Sequence, residues 1–372
     1  MKRLVNILTL LIALVALTPL SVAASEAHDG DSKGVDPKEV IFDHLGDGYG
    51  WEVPFNHHKR IPLPVILFGS DGLHCFSSAH ISDGKPYKDG NVIFQLAPDG
   101  DFKGKVIEIS PDGKISRPFD ISITKNVLAL FIAVVLVILS VWRLKVWYKR
   151  HQYEAPRRGL GLLELIVDFI YGGVIKATLK EEAPKFAPYL LTVFFLILYM
   201  NLLGLLVVFP GGANLTGNIA VTLVLALFTF FITNLYGTKH YWKEILWPDV
   251  PIWLKCPIPI MQIIEIFGMF TKPAALTVRL FANMMGGHMI VIVLTLLIFI
   301  FADMGAAVIG ATTVMSMIFS VFMLLLDTLV SFIQAYVFTM LSTIFIALAR
   351  EKGHHEAHAE TPVASTVAPA HS

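Results

Sequence analysis

Two apolar stretches in the C-terminal third, from about Ile260 to Met304 and from Ala307 to Arg350, constrain this chain more than anything else in it. One straight helix crosses a bilayer with about 20 apolar residues. Each stretch has nearly twice that, so it must tilt strongly, bend, or break into a hairpin. The composition agrees. Hydrophobic residues make up 55% and charged residues 16%, against about 25% charged in soluble domains. The formal net charge is zero, which points to no nucleic-acid partner.

Arg279 stands in the middle of the first stretch. A charged side chain at bilayer depth costs at least about 2.5–3.5 kcal/mol, so it persists only with a function and a partner. Ala275, Ala282, Asn283 and Gly286 fall on the same side of a helix. Small residues around a charge leave a shallow groove where another helix can approach. A guanidinium stays protonated at any accessible pH and so cannot relay protons. It can hold a carboxylate ionised, because an opposite charge within about 4–6 Å lowers a carboxyl pKa by about 1–3 units.

The rest of the chain divides by composition. Residues 1–24 have a basic start at Lys2 and Arg3, an apolar core from Leu8 to Leu17 and a small-residue end at Val22-Ala23-Ala24. That is the pattern of an export signal, the apolar run being short for an uncleaved first span. Residues 25–121 carry short apolar alternations between the turn signals Asp47-Gly48, Asp71-Gly72, Asp83-Gly84 and Asp112-Gly113, which predicts a small, mostly β domain. Its histidines match no metal-ligand spacing. Cys75 and Cys256 are expected on opposite sides of the membrane, hence unpaired.

A first span is predicted over about Lys125 to Trp147. Arg143, Lys145, Lys149, Arg150, Arg157 and Arg158 lie at or beyond its end. The positive-inside rule makes that end cytoplasmic and the β domain extracytoplasmic. Leu160 to about Leu179 is expected to lie along the cytoplasmic face. Further spans follow at about Pro188–Phe209 and Asn218–Tyr236. Residues 122–350 thus form the membrane domain and 351–372 a disordered cytoplasmic tail. The fold class is an all-α polytopic membrane protein of about five membrane or long tilted helices plus a surface helix, with a small, mostly β extracytoplasmic N-terminal domain.

The run Arg279-Leu280-Phe281-Ala282-Asn283-Met284-Met285-Gly286-Gly287-His288 closely resembles subunit a of the rotary F-type ATP synthases. So does Asp327-Thr328-Leu329-Val330-Ser331-Phe332-Ile333-Gln334-Ala335-Tyr336-Val337-Phe338. The resemblance covers about Lys125 to Arg350. It implies a proton-conducting stator with two offset half-channels, without a catalytic site, cofactor or metal of its own. Its implied partners are a ring of rotor c subunits, the peripheral stalk subunit b, the soluble catalytic head and membrane lipid, in an inner membrane. It also implies that Gln334 positions Arg279, that His288 and Asp327 belong to the route open to the outside, and that Glu265 belongs to the cytoplasmic exit. Asn283 stands on the arginine's face. Asn201 and Asn218 fit either a polar channel wall or helix capping.

Two other classes are weighed against this reading. A stand-alone secondary ion transporter would show an internal repeat around a midplane site, and no repeat is visible. A membrane enzyme would need a nucleophile or metal constellation in the exported domain, and Ser70, Ser77 and the histidines form none.

Overall fold

In a computed structural model of the chain, residues 46–351 are described apart from 54–55, 82–84, 98–101, 103, 111–114, 152–153, 157–158, 207–211, 247–259 and 301–305. The export-signal segment, the tail after Glu351, Cys256 and Asp303 lie outside the described residues.

The N-terminal region is built of antiparallel strands. β1 (Gly50–Val53) pairs with β2 (Asn56–Pro62). β3 (Pro64–Gly69) lies between β4 (Gly72–Ser77) and β9 (Phe119–Asp120). β5 (Tyr87–Asp89), β6 (Val92–Leu96), β7 (Val106–Ile109) and β8 (Ile115–Ser116) follow one another in a third sheet. The predicted alternation is present: Val65 and Leu67 point into the core, while Phe68, opposite Leu73 and Phe119 on the neighbouring strands, points out. Gly90, at φ 66°, supplies the left-handed residue that the two-residue β5–β6 hairpin turn requires. The core joins Tyr49, Val65, Leu67, Phe76, Val92 and Phe94.

This region is seated on the first helix, α1 (Lys125–Arg150). Thr124 caps α1 by accepting from the Val127 amide at 3.4 Å. The Ile123 amide donates to the Pro64 carbonyl and the Lys125 amide to the Gly48 carbonyl. Trp51 packs into the same apolar core as Ala129 and Ala133 of α1. The β region and the helices are therefore one packed body at this junction.

α2 (Gly159–Ile170) runs through a wider π-helical turn (Tyr171–Lys176) and a short helical link to α3 (Ala183–Leu205). Lys180 in that link has φ 50°, which breaks the helical ladder where the sequence predicts a surface helix to end. α4 (Ile219–Leu235) turns through 104° into α5 (Lys239–Leu246). The two long stretches are α6 (Ile260–Ile300) and α7 (Ala306–Arg350), of 41 and 45 residues. At about 1.5 Å per residue they are about 60 and 70 Å long, against a hydrocarbon core of about 30 Å. Of the alternatives the sequence left open, breaking into hairpins is not what they do.

Among the described residues, four helices, or five counting the bent α4–α5 pair as one span, are long and apolar enough to cross a membrane. α7 packs against α3 and α6, and α4 against α6. Ala335, Thr339, Ser342 and Thr343 of α7 are fully buried, small residues that let helices approach closely. Thr339 and Thr343 satisfy their hydroxyls on the carbonyl one turn back, at 2.9 and 2.7 Å. Arg350 closes the bundle with a forked ion pair to Glu182.

Candidate functional site: a polar cleft between α3, α6 and α7

α6 has two unlike sides around its centre. Leu276, Leu280 and Met284, spaced by four, are buried against the bundle. Arg279, Ala275, Ala282 and Asn283 are exposed, and a methyl added to Gly286 would meet nothing within 4 Å. Arg279 thus lies on an exposed side of α6 among small residues. Among the described residues no carboxylate lies within ion-pair reach of its guanidinium.

Gln334 of α7 reaches this point. Its Nε2 donates to the carbonyl oxygen of Arg279 at 2.7 Å. The bond is to the backbone, a refinement of the expected pairing: Gln334 holds the helix at Arg279, and among the described residues the guanidinium has no partner. Seven residues earlier on α7, the Asp327 carboxylate rests against Gly287. A methyl at Gly287 would come within 2.7 Å of Asp327 Oδ1 and 2.8 Å of Oδ2, so a side chain there would have to displace the acid. Between them, Ser331 Oγ donates to the Asp327 carbonyl at 2.7 Å.

His288 follows Gly287. Its Nε2 is buried with no hydrogen-bond partner among the described residues. It lies 3.7 Å from where a methyl on Gly204 of α3 would sit, and the Met284 methyl lies closer still, at 2.6 Å. Gly204 is therefore what lets α3 approach α6 here. Three residues before it, buried Asn201 donates to the Ser331 carbonyl at 3.4 Å and accepts from Thr216 Oγ1 at 2.8 Å.

These side chains line one cleft, which Asn201, Asn283, His288, Asp327, Ser331 and Gln334 share with Leu205, Leu280, Met284, Gly287 and Val330. Its free space is about 10 Å³, room for about one water molecule.

Glu265 lies elsewhere. It is half-buried near the start of α6, an electrostatic neighbour of the Tyr241 phenol. Tyr241 donates to Asn234 at 3.2 Å, and both line a second small space with Thr229, Thr233 and Lys272. From Lys272 to Gly287 is about 22 Å along α6, so the two polar zones are offset along the helix, with Arg279 between them. Lys272 itself packs its ammonium over the Phe345 ring at 5.5 Å. Asn218 caps α4, accepting from the Ala220 amide at 3.0 Å. Of its two readings, capping is the one with a visible partner. Sequence reasoning missed Thr216, Asn234 and Tyr241, whose roles depend on chain segments brought together only by the fold. The packing role of Gly204 was also missed.

Long apolar helices around a cluster of polar and ionisable side chains define a polytopic membrane protein. Residues 127–347 match the family described as ATP synthase A chain, and residues 40–125 match a domain family of unknown function. The chain is 41% identical over 286 residues to "ATP synthase subunit a" of Pelodictyon phaeoclathratiforme, covering 73% of this chain and 79% of that one. It is 41% identical over 251 residues to the subunit of the same name from Myxococcus xanthus, covering 65% and 78%. To "ATP synthase subunit a 2" of Chlorobium luteolum it is 43% identical over 250 residues, covering 64% and 69%. The chain belongs to the ATP synthase A chain family.

Proposed function

We propose that this chain is the proton-conducting stator subunit of a rotary ATP synthase and that Arg279 is its stator charge. The observation that carries the reading is an arginine exposed among small residues, mid-helix, its backbone pinned by Gln334 and its guanidinium unpaired among the described residues. A carboxyl on a neighbouring rotor helix, brought beside it, would be held ionised by the fixed cation. Leaving it toward lipid, the carboxyl would regain a proton, because an isolated charge is costly there.

Protons reach and leave the rotor carboxyl by separate routes. His288, Asp327, Asn201 and Gln334, with Asn283 beside Arg279, form the route from the outside; an imidazole gains and loses a proton near neutral pH and suits a relay. Glu265, with Tyr241 and Asn234, forms the route to the cytoplasm. The axial offset of the two zones supports a path that must pass through the rotor, since a continuous path would leak. Asn218 serves as a cap.

In this reading the chain performs no catalysis itself and binds no cofactor. Its partners are the rotor ring, the peripheral stalk and, through the complex, the catalytic head. Its β region faces outward and its C-terminus the cytoplasm. Arg279→Ala tests the proposal in inverted membrane vesicles. Loss of ATP-driven acidification with the complex still assembled is the expected result. Normal pumping by the variant would overturn it.

A further inference from the structure

At the far end of α1 lies a groove that the proton path does not use. Trp142, Arg143, Trp147, Arg150 and His151 form one side of it, and Leu160 at the start of α2 closes the other. Its free space is about 300 Å³, against about 10 Å³ in the proton-route cleft. The wall is held in place. The Trp147 indole stacks on His151 with ring centres 4.4 Å apart, and its N–H donates to the Glu154 carbonyl at 3.2 Å.

Charge and depth both bear on what fills this groove. Among the described residues neither Arg143 nor Arg150 has an acidic partner, whereas Arg350 is paired with Glu182. The nearby Glu164 carboxylate is engaged by the Tyr148 hydroxyl. Arg143 lies about 27 Å along the helix axis from Lys125, close to the hydrocarbon thickness of about 30 Å. With the start of α1 at one boundary, Arg143 and Trp142 stand at the other, where tryptophan is favoured. Arg150, two turns further, reaches the headgroup layer. The groove is thus apolar at the depth of acyl chains and cationic at the depth of phosphates.

We propose that this groove is a binding site for the headgroup of an anionic phospholipid, with Arg143 and Arg150 bracketing the phosphodiester and Trp142 and Leu160 flanking the first acyl carbons. The inference rests on the membrane-spanning position of α1 and is independent of the role of Arg279. A lipid fixed here would join α1 to α2 without altering the proton route.

The test uses the purified complex containing the full chain, delipidated in detergent and titrated with radiolabelled phosphatidylglycerol or phosphatidylcholine. Wild type is expected to retain phosphatidylglycerol, with glycerol phosphate competing poorly. Arg143→Gln with Arg150→Gln is expected to weaken that retention about tenfold or more. Lys145→Gln with Lys149→Gln removes the same charge outside the groove and is expected to change it little. Leu160→Trp, which fills the groove and keeps both arginines, should also displace the lipid and serves if the arginine variant does not assemble. Equal losses in the arginine and lysine variants would overturn the site in favour of general surface attraction. Retention unaffected by Leu160→Trp, equal retention of phosphatidylcholine, or equal displacement by glycerol phosphate would overturn it too.

Discussion

The Gln334 amide of α7 donates to the backbone carbonyl of Arg279 on α6 at 2.7 Å. A buried side chain thereby fixes where the arginine sits along the bundle without engaging its charged end. Gln334→Leu removes the donor. The carbonyl keeps its own helical bond, so the stability loss should be modest, about 1 kcal/mol. Transport should fall more than stability, because the register of Arg279 against α7 is no longer pinned. Gln334→Glu, once ionised, presents an acceptor to an acceptor and should do worse than leucine. ATP-driven acidification beside a thermal-unfolding curve separates the two effects. Full pumping by both variants would count against the positioning role.

Gly287 and Gly286 are adjacent and should respond oppositely. Alanine at Gly287 meets the Asp327 carboxylate at 2.7–2.9 Å, whereas alanine at Gly286 meets nothing within 4 Å. Overpacking at Gly287 should cost about 1–3 kcal/mol and push Asp327 out of the cleft, lowering proton conduction. Gly286→Ala should raise the stability of the isolated chain by about 0.5–1 kcal/mol, the amount glycine costs relative to alanine inside a helix. Thermal melts of both variants, with passive proton uptake for Gly287→Ala, make the comparison.

Asn201 bonds to both α7 and the segment before α4. Asn201→Ala orphans the Thr216 hydroxyl inside the bundle, at a cost of about 1–3 kcal/mol. Asn218→Ala removes a cap worth about 1 kcal/mol and should leave conduction intact. A conduction defect in Asn218→Ala at normal stability would return that residue to the channel wall.

Tyr49, just before β1, is tied to β9 through a hydrogen bond to Asp120. Burial first, and then that bond, hold its phenol well above the usual value of about 10. The folded state resists ionisation that the unfolded chain accepts. The contribution is therefore complete below about pH 10 and is lost as pH rises toward the folded value. Tyr49→Phe should flatten the alkaline fall in melting temperature. An unchanged alkaline slope would assign it to other groups.

Much of this could be read from residue order. Apolar length alone shows that α6 and α7 exceed a single crossing, and periodicity places Arg279 among small residues on one side of a helix. Both depend on local spacing. Asp327, Ser331 and Gln334 share a face of α7 for the same reason, so their alignment was legible before any neighbour was known. Asn218 was ambiguous because one asparagine serves equally as cap or channel wall until its amide partner is seen.

What spacing cannot specify is which atom meets which across helices. That Gln334 takes the carbonyl of Arg279 rather than its guanidinium depends on the relative height of α6 and α7. That Asp327 lies on Gly287, and that Gly204 admits Met284 beside His288, depends on how closely three helices approach. Close packing decides such contacts to within fractions of an ångström. The sequence by itself determined the helices, their apolar lengths and the faces that carry charge, because these follow from chain-local geometry. Only the tertiary structure decided that His288, Asp327, Asn201 and Gln334 share one cleft, and that Glu265 lies outside it as a neighbour of Tyr241, because that is set by packing between distant segments.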